Sequence, residues 1–165
     1  MPTTPSQLQR ELKQGRPFTS TAQEAILGVL RTSDVLQRRI TELLEPLGVS
    51  PQQFNVLRIL RGAGPRGLPT LEIGERMIEH SPGITRMVDR LIARGWAERA
   101  RCTEDRRVVY CRITPAGLEL LEQADTPEFR AGESRVMPIP EDDQRRLIEL
   151  LDRVREAGLD SPPTA

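Results

Sequence analysis

Ile26, Leu30, Leu36, Ile40, Leu43 and Leu47, with Ser33 in the same row, recur at three- and four-residue steps. That spacing predicts a long amphipathic helix over about 20–45, ended by Pro46 and Gly48. Ser50-Pro51-Gln52-Gln53 opens a second helix, with Ser50 as cap, Pro51 in the first turn and Gln53 completing a capping box. Phe54, Leu57 and Leu60 are its inward row, and the run from Gly62 to Gly67 stops it. Thr70 is read as the cap of a short third helix to about residue 79, with Ile73 and Met77 inward. Ser81-Pro82 repeats the cap-then-proline opening for a fourth. Its apolar face is Ile84, Val88, Leu91 and Ile92, its polar face Thr85, Arg86, Asp89, Arg90 and Arg94, and Gly95 its C-terminal stop. From Trp96 to Ile113 the period changes to two: Val109, Cys111 and Ile113 alternate with Val108, Tyr110 and Arg112. The segment 96–101 supplies the other arm of a hairpin, with Thr103-Glu104-Asp105-Arg106 at its turn. Thr114-Pro115 starts a fifth helix to about residue 124. Pro127, Gly132, Pro138 and Pro140 then predict an irregular connection over 125–140. A last helix over about 141–156 carries the stripe Leu147, Leu150, Leu151 and Val154, with Glu141, Asp142 and Asp143 at its positive end. Pro2, Pro5, Gly15 and Pro17 predict a loose arm over 1–18.

Composition narrows the class. Among 165 residues 37% are apolar but only 3% aromatic, so the core must be built from Leu, Ile, Val and Ala, which favours helices over a β-sandwich. No apolar run is long enough to span a bilayer, and the polar first residues lack a signal-peptide core, which predicts a cytoplasmic protein with no membrane partner. Two cysteines make no disulfide framework, and one histidine without suitable neighbours makes no metal site. No phosphate loop, nucleophile elbow or nucleophile with an apparent base is present, so the chain is read as no enzyme and as needing no cofactor.

Charge is what points to a partner. The net charge is zero, but residues 58–112 hold twelve arginines against seven acids, whereas 113–165 hold six basic groups against twelve acids. A basic middle beside an acidic end favours an anionic partner for the middle alone. Arginine suits that role through bidentate contacts to phosphate and guanine. Helix, short helix, turn, amphipathic helix and a basic-tipped hairpin is the order of a winged helix-turn-helix. A helix with one apolar face and one Arg/Thr/Asp face can dock on its own domain and enter a major groove, while the hairpin tip reaches the flanking minor groove.

The stretch from Leu47 to Leu121 resembles the MarR family of bacterial transcriptional regulators. The residues that carry the resemblance are Leu71-Glu72-Ile73-Gly74-Glu75-Arg76, then 81–91 from Ser81-Pro82-Gly83 through Arg90-Leu91, then Gly95-Trp96. Glu104-Asp105-Arg106-Arg107 leading into Ile113-Thr114-Pro115-Ala116-Gly117 follows the family's D-x-R, strand and L-T-x-x-G order, with Ile113 in place of the usual leucine. The resemblance implies a mainly α fold with a small β-hairpin wing. A DNA-binding lobe would span 49–113, and a helical dimerisation region 19–48 and 114–165. It implies double-stranded DNA as partner, with Ser81, Thr85, Arg86 and Arg90 on the recognition helix and Asp105, Arg106 and Arg107 at the wing. There the acid orients the arginine that enters the minor groove. It also implies a homodimer joined by the first, fifth and last helices, and a small anionic or aromatic effector between base and lobe whose binding releases DNA. Leu27, Arg31, Phe54 and Leu57 are candidate effector contacts, and equally good core residues. The interruption at 125–140 departs from the family's longer fifth helix and bears on the dimer geometry.

Three readings follow: a DNA-binding repressor or activator under ligand control, a winged-helix module that binds protein, and a redox-responsive regulator. The last would use Cys102, whose thiolate Arg101 favours, although the family's peroxide sensors carry their cysteine near the first helix, where this chain has none. Cys111, among apolar neighbours in its strand, reads as a buried small hydrophobe, and His80 as a structural or solvent residue. The paired Asp105 and Arg107 could equally be a local salt bridge, worth about 0–1 kcal/mol when exposed.

Overall fold

The computed structural model describes residues 5–79, 83–101 and 109–159. Within them the chain runs α1 (Gln7–Glu11), α2 (Thr21–Leu44), α3 (Pro51–Ala63), β1 (Leu68–Pro69), α4 (Thr70–Glu75), α5 (Ile84–Ala93), β2 (Ala97–Arg101), β3 (Val109–Ile113), α6 (Pro115–Gln123), α7 (Pro127–Val136) and α8 (Glu141–Leu159). Single 3-10 turns, Glu45–Leu47 and Gly64–Arg66, follow α2 and α3. This is the mainly helical architecture with a small wing that the periodicities predict. The strands form an antiparallel sheet in the order β1-β3-β2, with Leu68 opposite Cys111 and Ala97 opposite Ile113.

Local chemistry sets most of the boundaries. Ser50 accepts a hydrogen bond from the Gln53 amide at 3.2 Å and donates its own amide to Gln53 Oε1 at 3.1 Å, completing the capping box in front of α3. Ser20 caps α2 in the simpler way, through the Gln23 amide at 3.1 Å. The end of α5 is a Schellman closure: Trp96 N–H reaches Leu91 O at 3.0 Å and Gly95 N–H reaches Ile92 O at 2.9 Å. Gly95 has φ 73°, a left-handed conformation that a side chain would resist.

The core lies between α3, α4, α5, α6 and one face of the sheet. Val56, Leu57, Leu60, Ile73, Val88, Leu91 and Cys111 are fully inaccessible, and Leu44 and Leu121 close the side toward α2 and α6. Truncating one such leucine to alanine costs about 2–5 kcal/mol, so these residues hold the lobe rigid enough to present α5.

Four expectations need correction. Residues 125–140 are not irregular, because α7 occupies most of the segment. Thr126 accepts from the Phe129 amide at 3.3 Å and Pro127 sits in the first turn, where its missing N–H costs nothing. Gly132 then lets α7 lie close on Leu43 of α2. The stretch 1–18 is not wholly a loose arm, since Ser6 caps the short α1 and Leu8 packs near Gly28. Thr70 does not cap α4. It lies inside the helix, behind Pro69 as the capping position, with its hydroxyl 3.6 Å from Cys111 Sγ. That helix also ends at Glu75, short of residue 79, because Met77 turns into the core and the Ile78 amide is taken by Asn55 Oδ1 at 3.2 Å. The pairing of β1 with β3 adds a strand too short to show a period in sequence.

Candidate nucleic-acid interface

Helix α5 presents two chemically opposite faces. Met87, Val88 and Leu91 are buried, whereas Thr85, Arg86, Asp89 and Arg90 are exposed. Steps of one, three and one residue place the four on a single stripe of a 3.6-residue helix. Neither Arg86 nor Arg90 joins an ion pair among the described residues, so both guanidinium groups keep their donors for another partner.

The stripe is held from below. Thr114 donates its hydroxyl to Gly95 O at 2.6 Å and accepts the Gly117 amide at 3.2 Å, and its own amide reaches Trp96 O at 3.1 Å. One threonine thus ties the end of α5, the start of β2 and the first turn of α6 into a single knot. Gly117 completes it, because a Cβ there would overlap the Trp96 carbonyl. This is the physical content of the Gly95-Trp96 and Thr114-Pro115-Ala116-Gly117 pattern.

Arg94, unlike Arg86 and Arg90, is engaged within the fold. Its guanidinium donates to Gly48 O at 2.6 Å and lies 4.8 Å from the centroid of the Trp96 ring, so it is spent on holding α5 against the turn after α2. Arg99 of β2, absent from the residues singled out by pattern, reaches Asp89 Oδ1 of α5 at 2.5 Å. At the base of the wing Arg66 donates to the Tyr110 hydroxyl at 3.2 Å with its guanidinium 5.6 Å from the ring centroid, and Arg112 donates to Arg66 O at 3.3 Å. The cross-strand alternation of Tyr110 and Arg112 is visible in sequence, but the loop that brings Arg66 to them is not. Ser81, His80, Cys102 and the wing residues Asp105, Arg106 and Arg107 lie outside the described residues. Cys111 is fully buried, as its strand position predicts.

The lobe is anchored to α2 by a carboxylate. Glu79 accepts from Gln37 Nε2 at 2.6 Å and from Gln52 Nε2 at 3.2 Å, joining α2, the start of α3 and the segment before α5. Between α3, α6 and α7 lies a cavity of about 130 Å³, lined by Phe54 and Phe129, by Arg58, Arg61 and Arg130, and by Asp125 and Glu133. The two rings stand 6.3 Å apart, and Arg61 is paired with Asp125 at 2.8 Å. Of the four candidate effector contacts the cavity includes Phe54. Leu57 is fully buried in the core beside it, and Leu27 and Arg31 lie on α2, where Arg31 faces Glu11 at 3.8 Å and Asp34 at 3.5 Å. No helix among the described residues is long and apolar enough to cross a membrane.

Comparison with known proteins places this geometry. The model of the MarR family matches residues 49–109. The Multiple antibiotic resistance protein MarR of Salmonella typhimurium is 35% identical over 86 residues, which are 52% of this chain and 58% of that protein, so the chain spans little more than half the length of that relative. The uncharacterized HTH-type transcriptional regulator YkoM of Bacillus subtilis is 31% identical over 69% of this chain and 71% of its own length. The crystal structure of a MarR transcription factor from Planctomyces limnophilus shares 39% identity with a TM-score of 0.62, covering 82% of this chain and 98% of that one. A mutant MarR from E. coli complexed with operator DNA superposes with a TM-score of 0.70 at 28% identity, over 82% of this chain and 99% of that one.

Proposed function

The chain belongs to the MarR family, and from that premise we propose that it is a transcriptional regulator. In this reading it binds operator DNA as a homodimer, represses, and releases DNA when a small anionic or aromatic molecule binds. The observation that carries the DNA reading is the exposed stripe Thr85, Arg86, Asp89 and Arg90, on a helix whose other face is locked into the core. Arg86 and Arg90 approach base edges and phosphates in the major groove, and Ser81 joins them as a DNA contact. Asp105, Arg106 and Arg107 act at the wing, where an arginine entering a narrow minor groove meets enhanced negative potential. The likeness to a relative solved with operator DNA supports the same assignment.

The homodimer is supported by apolar side chains left in solvent on the outer helices. Ile26, Val29 and Leu30 of α2 and Ile148, Leu150 and Val154 of α8 are all about half exposed or more. Effector control is supported by the cavity between α3, α6 and α7, where two aromatic rings and three arginines face two acids. Three guanidinium groups against two carboxylates there suit a small anion. The cavity lies against α3, the helix that carries the lobe, so occupancy there can shift the lobe relative to α2 and α7. The module that binds protein gains nothing from a row of arginines available for phosphate. The redox reading rests on Cys102 alone.

The test is selection from a random duplex library, then affinity across a salt series. A palindromic site with half-site centres about 10 bp apart, and affinity falling steeply with salt, is the expected result. Arg86→Ala should then cost about 1–3 kcal/mol and relax the base preference at one position per half-site. Absence of any enriched site, with weak binding even at low salt, would overturn the DNA reading.

A further inference from the structure

The exposed stripe of α5 contains a carboxylate, and a carboxylate facing a phosphate backbone is repelled. Asp89 sits between Arg86 and Arg90 on that stripe, and its Oδ1 lies 2.5 Å from Arg99 Nη2, on the neighbouring strand. Both side chains remain about half exposed. Stability gives little reason for the pair, because an exposed ion pair contributes about 0–1 kcal/mol. The register gives a better one. Arg99 stands opposite the buried Cys111, so its side chain leaves the sheet on the face toward α5. There it meets Asp89 on the exposed stripe of α5. A guanidinium carries five N–H donors in a rigid fork, and one bond to Asp89 leaves the rest of the fork available.

We propose that Arg99 is a phosphate-binding residue of the DNA interface and that Asp89 is the positioning residue that aims it, rather than a reader of bases. The proposal rests on the DNA reading above and adds a contact from the strand that neither the recognition helix nor the wing tip supplies. Asp89 neutralises its own repulsion by holding Arg99, and the bond makes strand β2 and helix α5 present their charges as one surface.

The experiment compares wild type with Arg99→Ala, Asp89→Ala, Asp89→Asn and the double alanine variant on the selected operator, across a salt series, with thermal unfolding of each protein alongside. Arg99→Ala should lower affinity about tenfold and reduce the magnitude of the log K against log salt slope by about 0.9 per bound protomer, the loss of one neutralised phosphate. Asp89→Ala should lower affinity by less, and add nothing in the Arg99→Ala background. Asp89→Asn keeps an oxygen that accepts from Arg99 and should restore affinity to within about threefold of wild type, with the preferred bases unchanged. An unchanged salt slope in Arg99→Ala would make the pair structural only. A changed base preference in Asp89→Asn would make Asp89 a direct reader. Tighter binding by Asp89→Ala would make the carboxylate an obstacle. Each of these overturns the proposal while wild type still selects its site, whereas failure of wild type to select one removes the DNA reading and this contact with it. If Arg99→Ala unfolds, Arg99→Gln carries the same slope prediction without emptying the position.

Discussion

Arg86, Arg90 and Arg94 follow one another at four-residue steps, and their sequence positions suggest one row with one duty. Their surroundings divide them. Arg94 spends its donors on Gly48 O and its planar face on Trp96, while Arg86 and Arg90 remain exposed without an ion pair among the described residues. Arg94→Ala should therefore cost stability, about 1–2 kcal/mol from the lost charge-assisted bond and cation–π contact. It should leave the salt slope of DNA binding intact. Denaturant unfolding and a salt series on the same variant check both halves, and a slope that falls with Arg94→Ala would place this arginine on the DNA after all. The stripe itself was legible from the 3.6-residue period, but the division of labour was not. The carbonyl that takes the Arg94 donor belongs to residue 48, far away in the chain.

At the scale of elements, two cap-then-proline pairs were legible, while the cap read at Thr70 lies inside α4. Ser50-Pro51-Gln52-Gln53 and Thr114-Pro115 each satisfy a backbone donor left open by the first turn of the helix they precede. The same cap-then-proline pair at Thr126-Pro127 opens α7. Reading Pro127 with Gly132 as breakers hid it, because a proline in the first turn and one in mid-helix are alike in composition. Glycines show the same limit. At Gly117 a Cβ would meet the Trp96 backbone carbonyl, and at Gly132 the end of the Leu43 side chain. A backbone cannot yield and a leucine rotamer can. Gly117→Ala should thus destabilise by about 1–3 kcal/mol, loosening α6 from the wing. Gly132→Ala should be close to neutral, since the helix gains about 1 kcal/mol of propensity against the repacking of Leu43. Chemical denaturation of the two variants checks the contrast, and equal losses would contradict it.

Across the whole molecule, the apolar stripes on α2 and α8 outlast the folding of one chain. Leu147 and Leu151 are half-buried, but Ile148 is 58% and Val154 69% exposed, and no described side chain of α8 is fully buried. For apolar groups of this size burial is worth about 1.5–3 kcal/mol each, which a second copy can supply. Ile148→Asp with Val154→Asp should shift the protein to a monomer in sedimentation velocity at micromolar concentration. It should also lower affinity for a two-half-site operator far more than for a single half-site. Dimers that persist in this variant would place the interface elsewhere.

What the sequence by itself determined is whatever depends on neighbours within a few residues: the helical and strand periods, the caps before α3 and α6, the Schellman glycine, the buried and exposed faces of α5, and the basic middle of the chain. These follow from backbone geometry and hydrogen bonding within one or two turns, which residue identity and spacing encode directly. Only the tertiary structure decided where distant segments meet. It placed Asp89 against Arg99, Arg94 against Gly48, Glu79 between two glutamines of other helices, and Phe54 with Phe129 at a shared cavity. Each of these pairings is set by how helices pack on a common core, a property of the whole chain that no local pattern of residues contains.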